Sequence, residues 1–316
     1  MNTEYPKVSI IVPVFNEEAH VAKCLDSLLK IEYPENKLEI MVIDNGSTDS
    51  SAEIVRTYPV QYTLLPGVKV GAVRNKGAEI ASGSIFVFID GDCVVDPGWL
   101  KRAISILTCE NMDAVGGLAG LRNNPNWIEA NWILEQPGNP FVYQKTLVGA
   151  CMIISKSAFN AIGGFNEVMS AGEDSDLSSK LTAGGFSYTI SPKLNVVHYG
   201  FPITIQDFLL RQMWHSSSYG EDFGLILTDR IFLLVVIFTI GMFASVLTIV
   251  YPMLLPIVLM FLLFPPATLS VKRLYRFRFL TFNPVRLLQV FFIDVLYLFG
   301  RSISLLKGLG RRINIS

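Results

Sequence analysis

The tripeptide Asp90-Gly91-Asp92 closes the apolar run Ile85–Ile89. Two carboxylates at the end of a buried strand repel each other unless a hard cation sits between them. Mg2+ or Mn2+ bridging a diphosphate suits that arrangement. The competing reading is a solvated turn that caps the next helix, but the apolar strand in front of it favours the cation. Glu173-Asp174 offers a second carboxylate pair where a helical stretch opens. There an acid could act as a general base, or could simply complement the helix dipole. Arg74 carries a guanidinium shaped for bidentate phosphate contact, with a surface ion pair to Glu53 or Glu79 as the alternative. His198 ends the apolar run Val196-Val197 and is either a metal ligand or a structural histidine.

The elements that must position these groups alternate short β-branched apolar runs with amphipathic stretches, the pattern of a largely parallel sheet flanked by helices. Strands are expected at Val8–Val14, Leu38–Ile43, Val60–Leu65, Ser84–Ile89 and Leu147–Ser155. Asn16 is expected to cap a first helix carrying Glu17 and Glu18 in its opening turn. Further helices are expected over Ser50–Tyr58 and Val70–Ser82, with another opened by Pro97. Asn16, Asp44 and Asp90/Asp92 then all fall just past the carboxyl ends of strands, where open α/β sheets bind ligands.

The rest of the chain is of another kind. No charged residue occurs from Ile231 to Val271. A single helix of that length would be about 60 Å long, roughly twice the bilayer core. Two spans, at about 231–250 and 253–270, accommodate it, with Tyr251-Pro252 and Pro265-Pro266 as breakers. Arg211 and Arg230 precede and Lys272, Arg273, Arg276 and Arg278 follow, which places both ends of a hairpin in the cytoplasm. The stretch at about 285–306 contains Asp294 and Arg301, and is expected to lie at the interface rather than to cross as a third span. The boundary between the soluble domain and this anchor is expected at 228/229.

Composition narrows the function. Hydrophobic residues make up 51% of the chain and the net charge is −1. No segment concentrates lysine and arginine as a nucleic-acid surface requires. The cysteines (Cys24, Cys93, Cys109, Cys151) form no CxxC pair and are expected to be reduced thiols. The amino terminus lacks a basic region and a hydrophobic core of signal-peptide length, so the first domain is expected to remain cytosolic.

Taken in order, Val8–Glu17, Val42–Asp49, Gly71–Gly77, Asp90-Gly91-Asp92, Gly149-Ala150-Cys151, Gly163–Glu167 and Gly172-Glu173-Asp174 resemble the motifs of family 2 glycosyltransferases. The resemblance covers about the first 200 residues. It implies a GT-A fold and an inverting transfer from a nucleotide-diphosphate sugar with Mg2+ or Mn2+. On this resemblance Pro13, Asn16 and Glu17 line the nucleoside pocket and Asp44 holds the base. Arg74 lies near the diphosphate, Asp90 meets the ribose or the metal, and Asp92 meets the metal. His198 completes the metal shell, and Asp174, with Glu173 beside it, is the catalytic base. The chain carries only an echo, Arg211-Gln212-Met213-Trp214, of the Gln-x-x-Arg-Trp element of processive synthases. A multi-pass protein of the cell (inner) membrane with a cytoplasmic catalytic domain follows, acting on a lipid-linked or glycan acceptor in cell-surface polysaccharide assembly. A polyprenyl-phosphate sugar synthase and a non-catalytic scaffold on the same fold are the alternatives.

Overall fold

The computed structural model describes residues 5–134, 145–217, 230–276 and 283–313. It divides into two compact units. One comprises residues 1–122 and 140–200, the other residues 123–139 and 201–316. The boundary expected at 228/229, and Arg278, lie outside the described residues.

The first unit is built on β1 (Val8–Val14), β2 (Leu38–Asp44), β3 (Gln61–Leu64), β4 (Ile85–Phe88), β5 (Cys93–Val94), β6 (Ala114–Gly116), β7 (Ala119–Gly120), β8 (Met152–Ser155), β9 (Tyr188–Ile190) and β10 (Val196–His198). Seven of them form one sheet in the order β3-β2-β1-β4-β8-β6-β9. Only β8 runs against the rest: it is antiparallel to β4 and β6, whereas the other pairings are parallel. The remaining three form a small sheet, β5-β10-β7.

The central strands are apolar on both faces because both faces are covered. Along β1, Val8, Ile10, Val12 and Val14 enter one core cluster while Ile11 enters the other. β4 alternates likewise, with Val87 on the first side and Phe86 and Phe88 on the second. Phe86 and Phe88 pack against Phe159, and Phe88 also meets Phe165 edge-on. Each such buried ring contributes about 1.5–3 kcal/mol. The covering helices are α1 (Val21–Leu28), α2 (Ser51–Arg56), α3 (Val70–Ile80) and α4 (Trp99–Cys109).

In the second unit α5 (Trp127–Ile133) follows the unit's first residues, after α4 in the chain. Asn126 caps it, accepting from the Ile128 and Glu129 amides, and Glu129 bonds back to the Asn126 amide. Completing the first unit are α6 (Lys156–Ala161), capped by Ser155, and α7 (Glu173–Ala183). The second unit continues with α8 (Ile205–His215), α9 (Arg230–Leu247), α10 (Leu255–Arg276) and α11 (Pro284–Ile313).

Among the described residues of the second unit, three helices are long and apolar enough to cross a membrane: Arg230–Leu247, Pro252–Arg276 and Pro284–Gly310. The turn expected at Tyr251-Pro252 is present. Pro265-Pro266, expected to end a span, instead lie inside α10. In an apolar bundle, neighbouring helices and local adjustment tolerate the amides that proline removes. The stretch expected to be interfacial at about 285–306 is part of the continuous helix α11. Asp294, 1% exposed, accepts from Arg273 Nη1 at 2.6 Å and from Ser270 Oγ at 2.7 Å. Arg273 Nη2 reaches the carbonyl of Trp132 at 2.6 Å, and its guanidinium lies over the Trp132 ring. The charge that argued against a third span is therefore paired inside the unit.

Candidate active site

Asp44 ends β2, Asn16 follows β1, and Asp90 follows β4. These are adjacent parallel strands, so their carboxyl ends share one edge of the sheet. Asp44 is buried: its Oδ1 accepts from the Ser47 amide and hydroxyl, both at 2.8 Å, and its Oδ2 accepts from Tyr62 OH at 2.7 Å. Asn16 does not cap α1, whose N-cap position is His20. It sits in a left-handed turn at φ 57. Its amide donates to Ser47 Oγ at 3.0 Å, and its side-chain oxygen accepts from the Thr48 amide at 2.8 Å. The Glu17 amide donates to Ser51 Oγ at 2.7 Å. The loops after β1 and β2 are thus tied into one rim. Gly91 lies against it: a Cβ there would stand 3.4 Å from the Pro13 carbonyl and 3.6 Å from Glu17 Cγ.

Arg74, on α3, organises the middle of the site and is 3% exposed. Its Nη2 donates to Asp90 Oδ1 at 2.7 Å and its Nη1 to Glu173 Oε1 at 2.6 Å. The surface pairing with Glu53 or Glu79 is not formed: Glu79 pairs with Lys76 instead. Burial alone would lower the Arg74 pKa, but the two carboxylates hold it above its ordinary value. Arg74 Nε is buried with no acceptor among the described residues. Gly149 makes room for the guanidinium, since a Cβ there would come within 2.3 Å of Nη2.

Glu173 and Asp174 open α7 beyond Gly172, whose φ of 87 turns the chain into the helix. The two carboxylates have different surroundings. Glu173 is spent on Arg74. Burial pushes the Asp174 carboxyl above the usual carboxylate range and the charge of Glu173 reinforces this. The Ser175 and Gly149 amides and Arg74 pull the other way. An acid raised in this manner is better matched to proton abstraction near neutral pH than an ordinary aspartate.

Asp92 and His198 meet at the small sheet, with Oδ2 and Nε2 3.4 Å apart and both residues buried. Gly200 permits the approach: a Cβ there would fall 1.9 Å from Asp92 Oδ2. A carboxylate and an imidazole at this spacing fit two ligands on one divalent ion with bonds of about 2.1–2.2 Å. Imidazole suits Mn2+ better than Mg2+, which favours oxygen ligands. Asp90 turns toward Arg74, so the two acids of Asp90-Gly91-Asp92 have separate partners. Cys93 completes a cluster with Asp92 and His198 whose ligand atoms all lie within 4.8 Å of one another. Burial raises the Cys93 thiol pKa well above its ordinary value, and the charges of Asp92 and Asp90 add to this. Tyr62, Gly200 and Cys93 were not singled out from sequence. For Cys93 a signal existed, since it directly follows Asp92.

Residues 9–162 match the family described as glycosyl transferase family 2. This segment is a family 2 glycosyltransferase domain. Among similar curated proteins, glycosyltransferase AglE of Haloferax volcanii is 40% identical over 123 residues, 37% of this chain and 40% of AglE. Beta-monoglucosyldiacylglycerol synthase of Synechocystis is 25% identical over 232 residues, 68% of this chain and 48% of the synthase. The chain spans less than half the length of these relatives. Among solved structures, the mannosyltransferase PcManGT of Pyrobaculum calidifontis, in complex with GDP-Man and Mn2+, superposes with a TM-score of 0.60 at 20% identity. That match covers 96% of this chain and 88% of PcManGT. The glycosyltransferase domain accordingly has the GT-A fold.

Proposed function

We propose that the chain is an inverting glycosyltransferase that uses Mg2+ or Mn2+ to move a sugar from a nucleotide-diphosphate donor to a lipid-linked glycan acceptor. The observation that carries this reading is the contact chain Asp90–Arg74–Glu173, with Asp174 next to Glu173 in the chain and the Asp92–His198 pair, two residues on from Asp90, at the small sheet. Pro13, Asn16, Glu17 and Asp44 would hold the nucleoside along the tied rim of β1 and β2. Arg74 would exchange part of its ion pairing for the donor diphosphate, using the free Nε as well. Asp92 and His198 would hold the cation, with Asp90 beside them. When bound, the cation offsets charge on the leaving diphosphate. Asp174 would accept the acceptor hydroxyl proton as that oxygen attacks the anomeric carbon and the nucleotide diphosphate leaves. Glu173 positions this base and fixes Arg74.

The lipid-linked acceptor rests on the three apolar helices, which would anchor the catalytic domain on the cytoplasmic face of the cell (inner) membrane and confine its search to the bilayer surface. The Synechocystis relative, named for a glycolipid product, supports a membrane-resident acceptor. The test is to incubate membranes bearing the protein with a panel of labelled nucleotide sugars and extract lipid. Label should enter the lipid fraction with one donor and disappear with Asp174→Asn or excess EDTA. Undiminished transfer by Asp174→Asn would remove the base, and undiminished transfer in EDTA would remove the cation.

A further inference from the structure

Cys93 lies within the candidate cation site but has no part in the transfer proposed above. The register of β5 on β10 sets it directly opposite His198. Residues facing each other across antiparallel strands hold their Cβ atoms about 4.5–5.5 Å apart. Cys93 Sγ lies 3.5 Å from Asp92 Oδ1, and Asp92 Oδ2 lies 3.4 Å from His198 Nε2. Tetrahedral zinc, with bonds of about 2.0 Å to oxygen and nitrogen and about 2.3 Å to sulfur, separates its ligands by roughly 3.3 and 3.5 Å. The two spacings run to different oxygens of Asp92, and one ligand atom from each of the three residues lies within 4.8 Å of the others, so a modest side-chain adjustment would bring them onto one ion. The remaining buried thiol nearby, Cys24, is directed elsewhere, onto the Asp90 carbonyl at 3.6 Å.

We propose that Asp92, Cys93 and His198 form a three-ligand site for thiophilic divalent ions such as Zn2+, Co2+ and Cd2+, which displace Mn2+ or Mg2+ and arrest transfer. This rests on the reading that Asp92 and His198 hold the catalytic cation, and adds a ligand that the catalytic ion does not use. Mg2+ prefers oxygen donors and Mn2+ oxygen and then imidazole, neither a thiolate, so under either ion Cys93 stays a thiol donating to Asp92. A thiophilic ion takes the thiolate: a metal–sulfur bond forms and the thiol proton passes to solvent. An ion gripped by three protein ligands in four-coordinate geometry retains one open position, too few for a chelating diphosphate and its water. The same cluster therefore serves hard ions productively and soft ions as a dead end.

The test uses the full chain in detergent, with metal alone as the probe. Co2+ should give a thiolate-to-cobalt charge-transfer band in the near ultraviolet, which Zn2+ abolishes by displacement. Cys93→Ser should lose the band and bind Co2+ on the order of 10–100-fold more weakly, while its Mn2+ affinity stays near that of the wild type. Cys93→Ala should behave alike, and circular dichroism checks that both variants are folded. A band that persists in Cys93→Ser, or undiminished Co2+ affinity there, overturns the proposal. His198→Ala separates the two claims. Mn2+ binding unaffected by that change sinks the catalytic-cation reading itself, whereas loss of Mn2+ binding without any cobalt–thiolate band in the wild type sinks only the thiol's part.

Discussion

Replacing Arg74 with methionine keeps the length of the side chain and removes its charge from between Asp90 and Glu173. Asp90 retains access to water, its side chain being 31% exposed, and its loss is small after solvent screening. Glu173 is the costly partner, at 6% exposure and with its bond to Arg74 Nη1 gone. A buried carboxylate stripped of its partner costs about 3–5 kcal/mol. For a unit of this size, about 2–4 °C of melting temperature accompanies each kcal/mol, so the deficit is about 6–20 °C. Thermal melts in detergent at pH 7 should show it. Adding Glu173→Gln to Arg74→Met should recover most of it, because the stranded charge is gone. A melting temperature unchanged in Arg74→Met, or a double variant no more stable than Arg74→Met, would refute the reasoning.

Asp174→Asn should cut transfer by about 100- to 10,000-fold. Because the ionised form of Asp174 is disfavoured in the fold, the same change should leave the melting temperature at neutral pH unlowered or raised, with the difference shrinking as pH falls. In the wild type, the acid limb of kcat/KM should lie above the ordinary aspartate range, since the base must be ionised to work. Gly200→Ala should abolish Mn2+ binding measured by titration, because its Cβ would stand 1.9 Å from Asp92 Oδ2 and force that carboxylate aside. Asp294→Ala should destabilise the protein in detergent by about 3–5 kcal/mol, and Asp294→Leu with Arg273→Met should regain much of that loss.

Much of the first unit was legible because its strands are continuous β-branched runs ending in acids. Val8–Val14 and the ends at Asp44 and Asp90 needed no tertiary information. What failed was local inference about long-range partners. Sequence offers Arg74 the partners Glu53 and Glu79, 21 and 5 residues away, whereas its buried partner Glu173 is 99 residues away. Asn16 looked like a helix cap by residue type, yet its side chain satisfies the Thr48 amide across the rim. Cysteine-to-cysteine spacing carries no knowledge of the cross-strand register that sets Cys93 opposite His198. Asp294 argues against a third span only while its partner Arg273, from the preceding helix, is unassigned. Pro265-Pro266 misled for a related reason: a rule drawn from isolated helices loses force where neighbours fill the gap.

The central claim is that the cation site and the nucleotide site are one place, bridged by a diphosphate. Mn2+ affinity measured with and without a saturating nucleoside diphosphate, together with nucleotide affinity measured with and without Mn2+, tests it most directly. Each ligand should tighten the other by the same factor, as thermodynamic linkage requires, and Asp92→Asn should erase both effects. Nucleotide that binds equally well whether or not Mn2+ is present would contradict the account.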